Sequence, residues 1–137
     1  DSEIAAWSSA NVSGISVDDF CEMRGHYQHD EATERIAKEV KNSAYEIISK
    51  KHATYYGIAM AVRRICEAIL RDEKSILPIS SMMHGEYGIE DIVLSMPAVV
   101  GKHGMENRVP ISLDQDEIQK LKESADILKD ILHQNEL

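Results

Sequence analysis

Residues 43–70 read SAYEIISKKHATYYGIAMAVRRICEAIL, and they hold the end of one helical pattern and the whole of the next. The first pattern runs from about Glu31 to Lys51, with apolar residues at helical spacing at Ile36, Val40, Ala44, Ile47 and Ile48. His52 and Ala53 interrupt it. A second stripe predicts an amphipathic helix over residues 55–71, formed by Tyr55, Ile58, Ala59, Val62, Ile65, Cys66 and Ile69.

The start of the second helix is unusual in its small and hydroxylated residues. Thr54 stands where its side chain can accept a hydrogen bond from an unpaired backbone amide, as an N-cap. Gly57 and Ala59 keep this end of the helix slim, so that another backbone or a flat ligand can come close. From the residues alone, an N-cap role for Thr54 and a core role for Ile58 are the simplest interpretation.

The rest of the chain predicts an α+β domain, with antiparallel strands packed against long helices. Residues 4–15 indicate a strand or bend, and residues 18–30 a loop or short helix. Period-two runs predict strands at 75–83, 92–101 and 106–113, the first at an edge or bulged because of Pro78. The short connections between these runs favour an antiparallel meander. Asp114 and Glu117 form a capping-box pattern before a last helix, whose expected buried stripe is Ile118, Leu121, Ala125, Leu128 and Leu132.

Composition excludes several classes of function. At 137 residues the chain fits one domain, and its formal net charge of −9 argues against nucleic-acid binding. No apolar run approaches a membrane span, and Cys21 and Cys66 are too far apart in sequence for a C-x-x-C motif, so we expect a cytoplasmic protein. The six histidines lack the spacing of metal ligands, and there is no G-x-G-x-x-G. We therefore predict no metal site and no dinucleotide fingerprint.

Three segments of the chain carry a resemblance to L-lactate dehydrogenases of the bacterial type. Residues 43–70 resemble the family's stretch close to A-A-Y-x-I-I-x-x-K-G-A-T-Y-Y-G-I-A. DSEIAAWSSANVSG, residues 1–14, resembles the stretch that begins at the last aspartate of the catalytic G-E-H-G-D motif. Residues 85–132 are similar to the C-terminal strands and last helix of the family. The chain departs at His52, where glycine is usual, and at Ser43, where alanine is common.

This resemblance implies the C-terminal, substrate-binding domain of an enzyme that reduces pyruvate to L-lactate with NADH. The catalytic histidine would lie two places before Asp1. The aspartate that orients it, the two substrate arginines, the Rossmann half that binds NAD and any fructose 1,6-bisphosphate contacts would lie further upstream. The chain opens without methionine, so we expect a piece of a longer polypeptide that holds no catalytic residue and lacks the NAD-binding domain.

The resemblance also implies roles for four residues and a set of partners. Thr54 would border the substrate, Ser43 and Ala44 would lie near the methyl end of the substrate, and Ile58 would pack against the nicotinamide ring of NAD. Pyruvate and L-lactate are the implied small-molecule partners, with no nucleic acid and no membrane, and the family usually forms homo-oligomers, most often tetramers. Tyr55 and Tyr56 keep a structural interpretation as packing aromatic residues.

Two alternatives remain open at this point. A malate dehydrogenase or another 2-hydroxyacid dehydrogenase of the same superfamily would share this domain, although ATYYGIA at 53–59 is more similar to the lactate enzymes. A different class of function is a stand-alone, non-catalytic module for oligomerisation or ligand binding. We expect the 137-residue chain by itself to be inactive and to expose apolar surface.

Overall fold

The computed structural model describes residues 3–27 and 29–135, which form two compact units. The first unit combines the residues up to Thr54 with Ser112–Leu121, and the second combines Tyr55–Ile111 with the residues from Lys122 onward. Asp1, on which the resemblance to the catalytic motif depends, lies outside the described residues.

The first unit begins with short elements. A 3-10 turn at Trp7–Ser9 is followed by a hairpin of β1 (Asn11–Val12) and β2 (Ile15–Ser16). The two turn residues, Ser13 and Gly14, have φ of 55° and 87°, as a tight two-residue hairpin requires. These elements agree with the strand or bend expected at 4–15.

Two helices complete the main part of the first unit. The short helix α1 (Val17–Met23) starts at Ser16, whose hydroxyl accepts a 3.1 Å hydrogen bond from the Asp19 amide. The long helix α2 (Asp30–Lys51) confirms the first helical pattern. Its surface carries the ion pairs Arg35–Glu39 at 3.0 Å and Glu46–Lys50, both at the i,i+4 spacing that supports a helix.

In the second unit, α3 (Tyr55–Leu70) confirms the second helical pattern to within one residue. A meander of β3 (Ser75–His84), β4 (Glu90–Gly101) and β5 (Gly104–Arg108) follows, antiparallel in the order β3–β4–β5. The predicted third strand is present, but its predicted bounds of 106–113 are wrong, because the strand starts earlier and ends at Arg108. Val109 still donates a hydrogen bond to the Pro97 carbonyl at 2.9 Å, but Pro110 has no amide hydrogen with which to continue the ladder.

Two prolines face each other across the sheet without breaking it. Pro78 pairs with Pro97 in the β3–β4 register. The Pro97 carbonyl accepts from the Val109 amide, so it points away from β3. In a strand, the N–H and C=O groups of one residue point to the same side. The amide hydrogen that Pro97 lacks would therefore also point away from β3. β3 is an edge strand of this sheet, as Pro78 predicted.

The core of the second unit follows the alternation of β4. Every second residue of this strand is buried, and the set consists of Ile92, Leu94, Met96, Ala98 and Val100. Ala68 of α3 and Met83 of β3 are also buried, and α3 packs on β4. Of α3, which is described throughout, only Ala68 is buried.

The last helix, α4 (Gln115–Gln134), begins with the predicted capping box. The Glu117 amide donates to Asp114 Oδ1 at 2.8 Å, and the Asp114 amide donates to Glu117 Oε2 at 3.0 Å. The expected buried stripe is only partly correct, since Ala125 is buried while Ile118, Leu121, Leu128 and Leu132 are half-buried. Among the helices that the structure describes, none is long and apolar enough to cross a membrane.

Candidate functional site

The end of α2 is a left-handed turn at His52. This residue has φ of 62° and ψ of 0°, and its amide donates to the Ile48 carbonyl at 2.7 Å. A left-handed C-terminal residue ends many helices and is usually glycine, because a Cβ atom is crowded in that conformation. His52, where the resemblance led us to expect glycine, therefore stands at a position whose backbone conformation favours glycine.

Three of the four site residues expected from the resemblance lie in the first unit. Ser43 and Ala44 are neighbours on the exposed surface of α2, and the Ser43 hydroxyl donates to the Val40 carbonyl at 2.7 Å. Thr54 is half-buried and directly precedes α3. None of these three side chains titrates near neutral pH, so they can shape and contact a ligand but cannot transfer a proton to it.

Ile58 lies in the second unit, in the first turns of α3. Its side chain is 59% exposed, which is unusual for a large aliphatic residue and leaves it free to contact an apolar surface. Tyr55 and Tyr56 are also exposed, and their rings meet edge to face with centroids 5.2 Å apart. Gly57, between Tyr56 and Ile58, has open space where a Cβ would stand, with no atom within 4 Å apart from its chain neighbours and the backbone of its own helix. This end of α3 is therefore slim and open, as the sequence predicted.

The first unit has a concave feature that was not predicted from the sequence. A groove of about 450 Å³ lies between the N-terminal segment and α2, within the first unit. Its walls are largely apolar and include Ile4, Trp7, Ile36 and Val40, with the Lys38 and Lys41 side chains also lining it. The helical spacing of Ile36 and Val40 was visible in the sequence, but no sequence signal paired them with Ile4 and Trp7.

The sequence also missed the tertiary role of Glu117. Its side chain is 6% exposed, and Oε1 accepts a 3.0 Å hydrogen bond from the Ser8 amide. The Ser8 hydroxyl donates to Oε2 and lies 3.1 Å from the Ser112 carbonyl. Burial acts to raise the pKa of Glu117, but the hydrogen bonds from the Ser8 hydroxyl, the Ser8 amide and the Asp114 and Trp7 amides outweigh it and leave that pKa below its usual value.

Polar contacts in the second unit stabilise the sheet and its connections. Arg108 on β5 bonds Glu86, the Met82 carbonyl and the Ser81 hydroxyl. The pKa of Glu86 falls to about 2, first because the His84 amide donates to it at 2.7 Å and also because it pairs with Arg108. The Tyr87 hydroxyl donates to the Ile111 carbonyl at 2.7 Å, which fixes the chain beyond β5.

The described residues of the two units, 3–27 and 29–135, include no group of three or more His, Cys, Asp or Glu side chains arranged to hold a metal ion. Cys21 and Cys66 are free thiols. What these described residues offer is surface for a ligand rather than reacting groups.

Comparison with known proteins gives a consistent set of relatives. The family described as lactate/malate dehydrogenase, alpha/beta C-terminal domain, matches residues 1–136. The L-lactate dehydrogenase of Thermoanaerobacterium saccharolyticum is 45% identical over 134 residues, which is 98% of this chain and 43% of that protein. The L-lactate dehydrogenase of Acetivibrio thermocellus is 46% identical over 132 residues, or 96% of this chain and 42% of that protein.

Solved structures show the same fold. The ligand-bound crystal structure of the minor L-lactate dehydrogenase from Enterococcus mundtii matches with a TM-score of 0.90 and 40% identity, over 98% of this chain and 42% of that one. A lactate dehydrogenase from a Medee basin deep-sea metagenome library matches with a TM-score of 0.90 and 42% identity, over 97% and 42% of the two chains. This chain thus spans less than half the length of the relatives it matches.

Proposed function

We propose that this chain, which belongs to the lactate/malate dehydrogenase family, forms the substrate-facing part of an NAD-dependent L-lactate dehydrogenase. It corresponds to the alpha/beta C-terminal domain of that family. The observation that carries this proposal is the 45% identity to an L-lactate dehydrogenase over 98% of the chain. The reaction is the interconversion of pyruvate and NADH with L-lactate and NAD, in an enzyme that we place in the cytoplasm and expect to be a homo-oligomer.

The role of this domain in the proposed enzyme is to build a wall of the reaction site. Thr54 borders the keto acid, with a side chain small and polar enough to pack beside it. Ser43 and Ala44 lie near the methyl group of pyruvate. NADH supplies the hydride when it is bound, while the groups that protonate the ketone and hold the carboxylate belong to the part of the enzyme that precedes Asp1 in the sequence.

The contact proposed for the cofactor is a single apolar one, and the residues present are compatible with it. Ile58 is aliphatic and 59% exposed, and the adjacent Gly57 leaves open space beside it. An aliphatic surface favours the neutral dihydronicotinamide ring over the cationic oxidised ring, because it offers the positive charge no compensating dipole or counterion. Ile58 therefore orients the ring and favours the reduced form.

Turnover by the full-length gene product tests the proposed activity. The purified enzyme should reduce pyruvate with NADH faster than it reduces oxaloacetate under the same conditions. Faster reduction of oxaloacetate would replace the lactate assignment with a malate dehydrogenase of the same family. Turnover of neither substrate would leave the non-catalytic module as the better interpretation.

A lysine at position 58 tests the cofactor contact separately. We expect Ile58→Lys to raise the KM for NAD about 10-fold or more, and the KM for NADH less, because the ammonium repels the cationic ring. Val62→Lys is the matched control, since Val62 lies one turn later on α3 and is 54% exposed. If Ile58→Lys and Val62→Lys had equal effects, or if Ile58→Lys changed the KM for NAD and the KM for NADH equally, the proposed contact of Ile58 with the nicotinamide ring would be wrong.

A further inference from the structure

Glu117 makes more hydrogen bonds than a helix cap requires. In the capping box it needs only to accept from the Asp114 amide, which it does through Oε2. The other oxygen, Oε1, accepts from the Ser8 amide, and the Ser8 hydroxyl donates to Oε2. The carboxylate is almost fully buried, so losing one of these hydrogen bonds leaves a buried polar group unpaired, which is costly.

Ser8 is also the centre of a tight turn. The 3-10 turn Trp7–Ser9 is closed by a 3.0 Å hydrogen bond from the Ala10 amide to the Trp7 carbonyl. Fixing Ser8 therefore fixes the direction in which the chain runs back toward Glu3. The N-terminal segment also forms one wall of the apolar groove, through Ile4 and Trp7, but an apolar surface is not directional and tolerates sliding. The hydrogen bonds to Glu117 are what set the register of the segment.

We propose that Glu117 is a positioning residue for the reaction, acting through Ser8 on the segment that leads back to the proton donor. This inference rests on the proposed function, in which the donating histidine lies two places before Asp1. Glu117 sits on the first turn of α4, where the capping box holds its backbone and side chain. The hydrogen bonds between Glu117 and Ser8 therefore join a rigid helix end to the segment that continues into the reaction site. A small misplacement of a catalytic group lowers the rate steeply.

The test compares three variants of the full-length enzyme. Ser8→Ala removes the hydroxyl and leaves the capping box intact, whereas Glu117→Gln keeps the size of the side chain and removes its charge. We expect each to lower kcat for pyruvate about 10-fold while the KM for NADH stays unchanged. Ser8→Thr restores the hydroxyl and should recover most of the lost kcat.

Ser9→Ala is the matched control for these variants. The Ser9 hydroxyl is in the same turn, but among the described residues it bonds only the Ala6 carbonyl, at 3.2 Å, so the variant should leave kcat unchanged. If Ser8→Ala and Glu117→Gln lower the thermal unfolding midpoint but not kcat, Glu117 is a helix cap and the positioning role is overturned. If the wild-type enzyme reduces neither pyruvate nor oxaloacetate, the proposed function itself fails, which is a different result.

Discussion

β4 in the second unit and α2 in the first unit both carry a regular apolar pattern, but they differ in what covers it. The inward residues of β4, such as Leu94 and Val100, are 8% and 1% exposed. In α2, Ile36 is 40% exposed and Val40 is 59% exposed, although each lines the groove beside the N-terminal segment. The second unit thus closes a core of its own, while the first unit presents an apolar helix face to its surroundings.

The difference indicates that these patterns serve different purposes. A buried alternating pattern stabilises the unit that contains it. An exposed helical pattern of this length is typical of a surface that packs against another surface. For a domain that spans less than half of its relatives' length, such a face supports the proposal that α2 works within a larger enzyme.

Cavity formation should separate the two regions most strongly. We expect Leu94→Ala to lower the free energy of unfolding of the second unit by about 2–5 kcal/mol, because it leaves a cavity in a closed core. The matched change on α2, Val40→Ala, should cost less than about 0.5 kcal/mol because its side chain is mainly exposed. Urea denaturation of the 137-residue chain and both variants measures these values. A cost for Val40→Ala equal to that for Leu94→Ala would show that α2 is covered after all.

Two of the glycines in the second unit, Gly101 and Gly57, should respond to substitution in opposite directions. A Cβ at Gly101 would stand 2.5 Å from Glu106 Oε1 and 2.8 Å from Asp72 Oδ1, and Asp72 is held by the Lys102 amide at 2.9 Å. Gly101→Ala should therefore destabilise the chain by about 1–3 kcal/mol. Gly57→Ala has open space on α3 and should stabilise it by about 0.5–1 kcal/mol. Thermal unfolding of the two variants checks the signs, and a gain in stability for Gly101→Ala would contradict the crowded geometry.

A smaller gain is expected at the end of α2. His52 holds φ of 62°, so His52→Gly should relieve the crowding of its Cβ and stabilise the first unit by about 0.5–1 kcal/mol. Ser49→Gly is the control, because Ser49 is inside the same helix and the same substitution there should destabilise it. The measurement is the unfolding midpoint in urea. A loss of stability in His52→Gly would mean that the imidazole makes a contact worth more than the backbone strain.

Local features of this fold can be predicted from the sequence, whereas its tertiary contacts cannot. The helices α2, α3 and α4, the strands β3 and β4 and the capping box of Asp114 and Glu117 could be predicted, because periodicity and caps depend on neighbours in the chain. The early end of β5 follows from Pro110, whose effect on the ladder depends on where its partner strand lies. The hydrogen bonds between Glu117 and Ser8 could not be predicted, because nothing local to either residue specifies a partner so distant in sequence.

The candidate site divides in the same way between local pattern and tertiary contact. Its four residues came from a family resemblance, and their spacing alone left Thr54 as a cap and Ile58 as a core residue. The exposure of Ile58 removes the core interpretation for that residue. The N-cap role of Thr54 stays a prediction, as do the contacts of all four residues with substrate and cofactor.

The weakest effect is expected from acid, and it should fall on the second unit. The pKa of Glu86 is about 2 in the folded chain, lowered from its usual 4.5 mainly by the His84 amide and further by Arg108. Because the folded pKa is the lower one, this carboxylate stabilises the fold fully above about pH 4.5, and the contribution is lost as the pH falls toward 2. Solvent reaches part of the pair, so the effect should be smaller than those above. Urea midpoints at pH 6, 4 and 3 should therefore decline less steeply in Glu86→Gln than in the unmodified chain, and identical declines would show that Glu86 does not contribute.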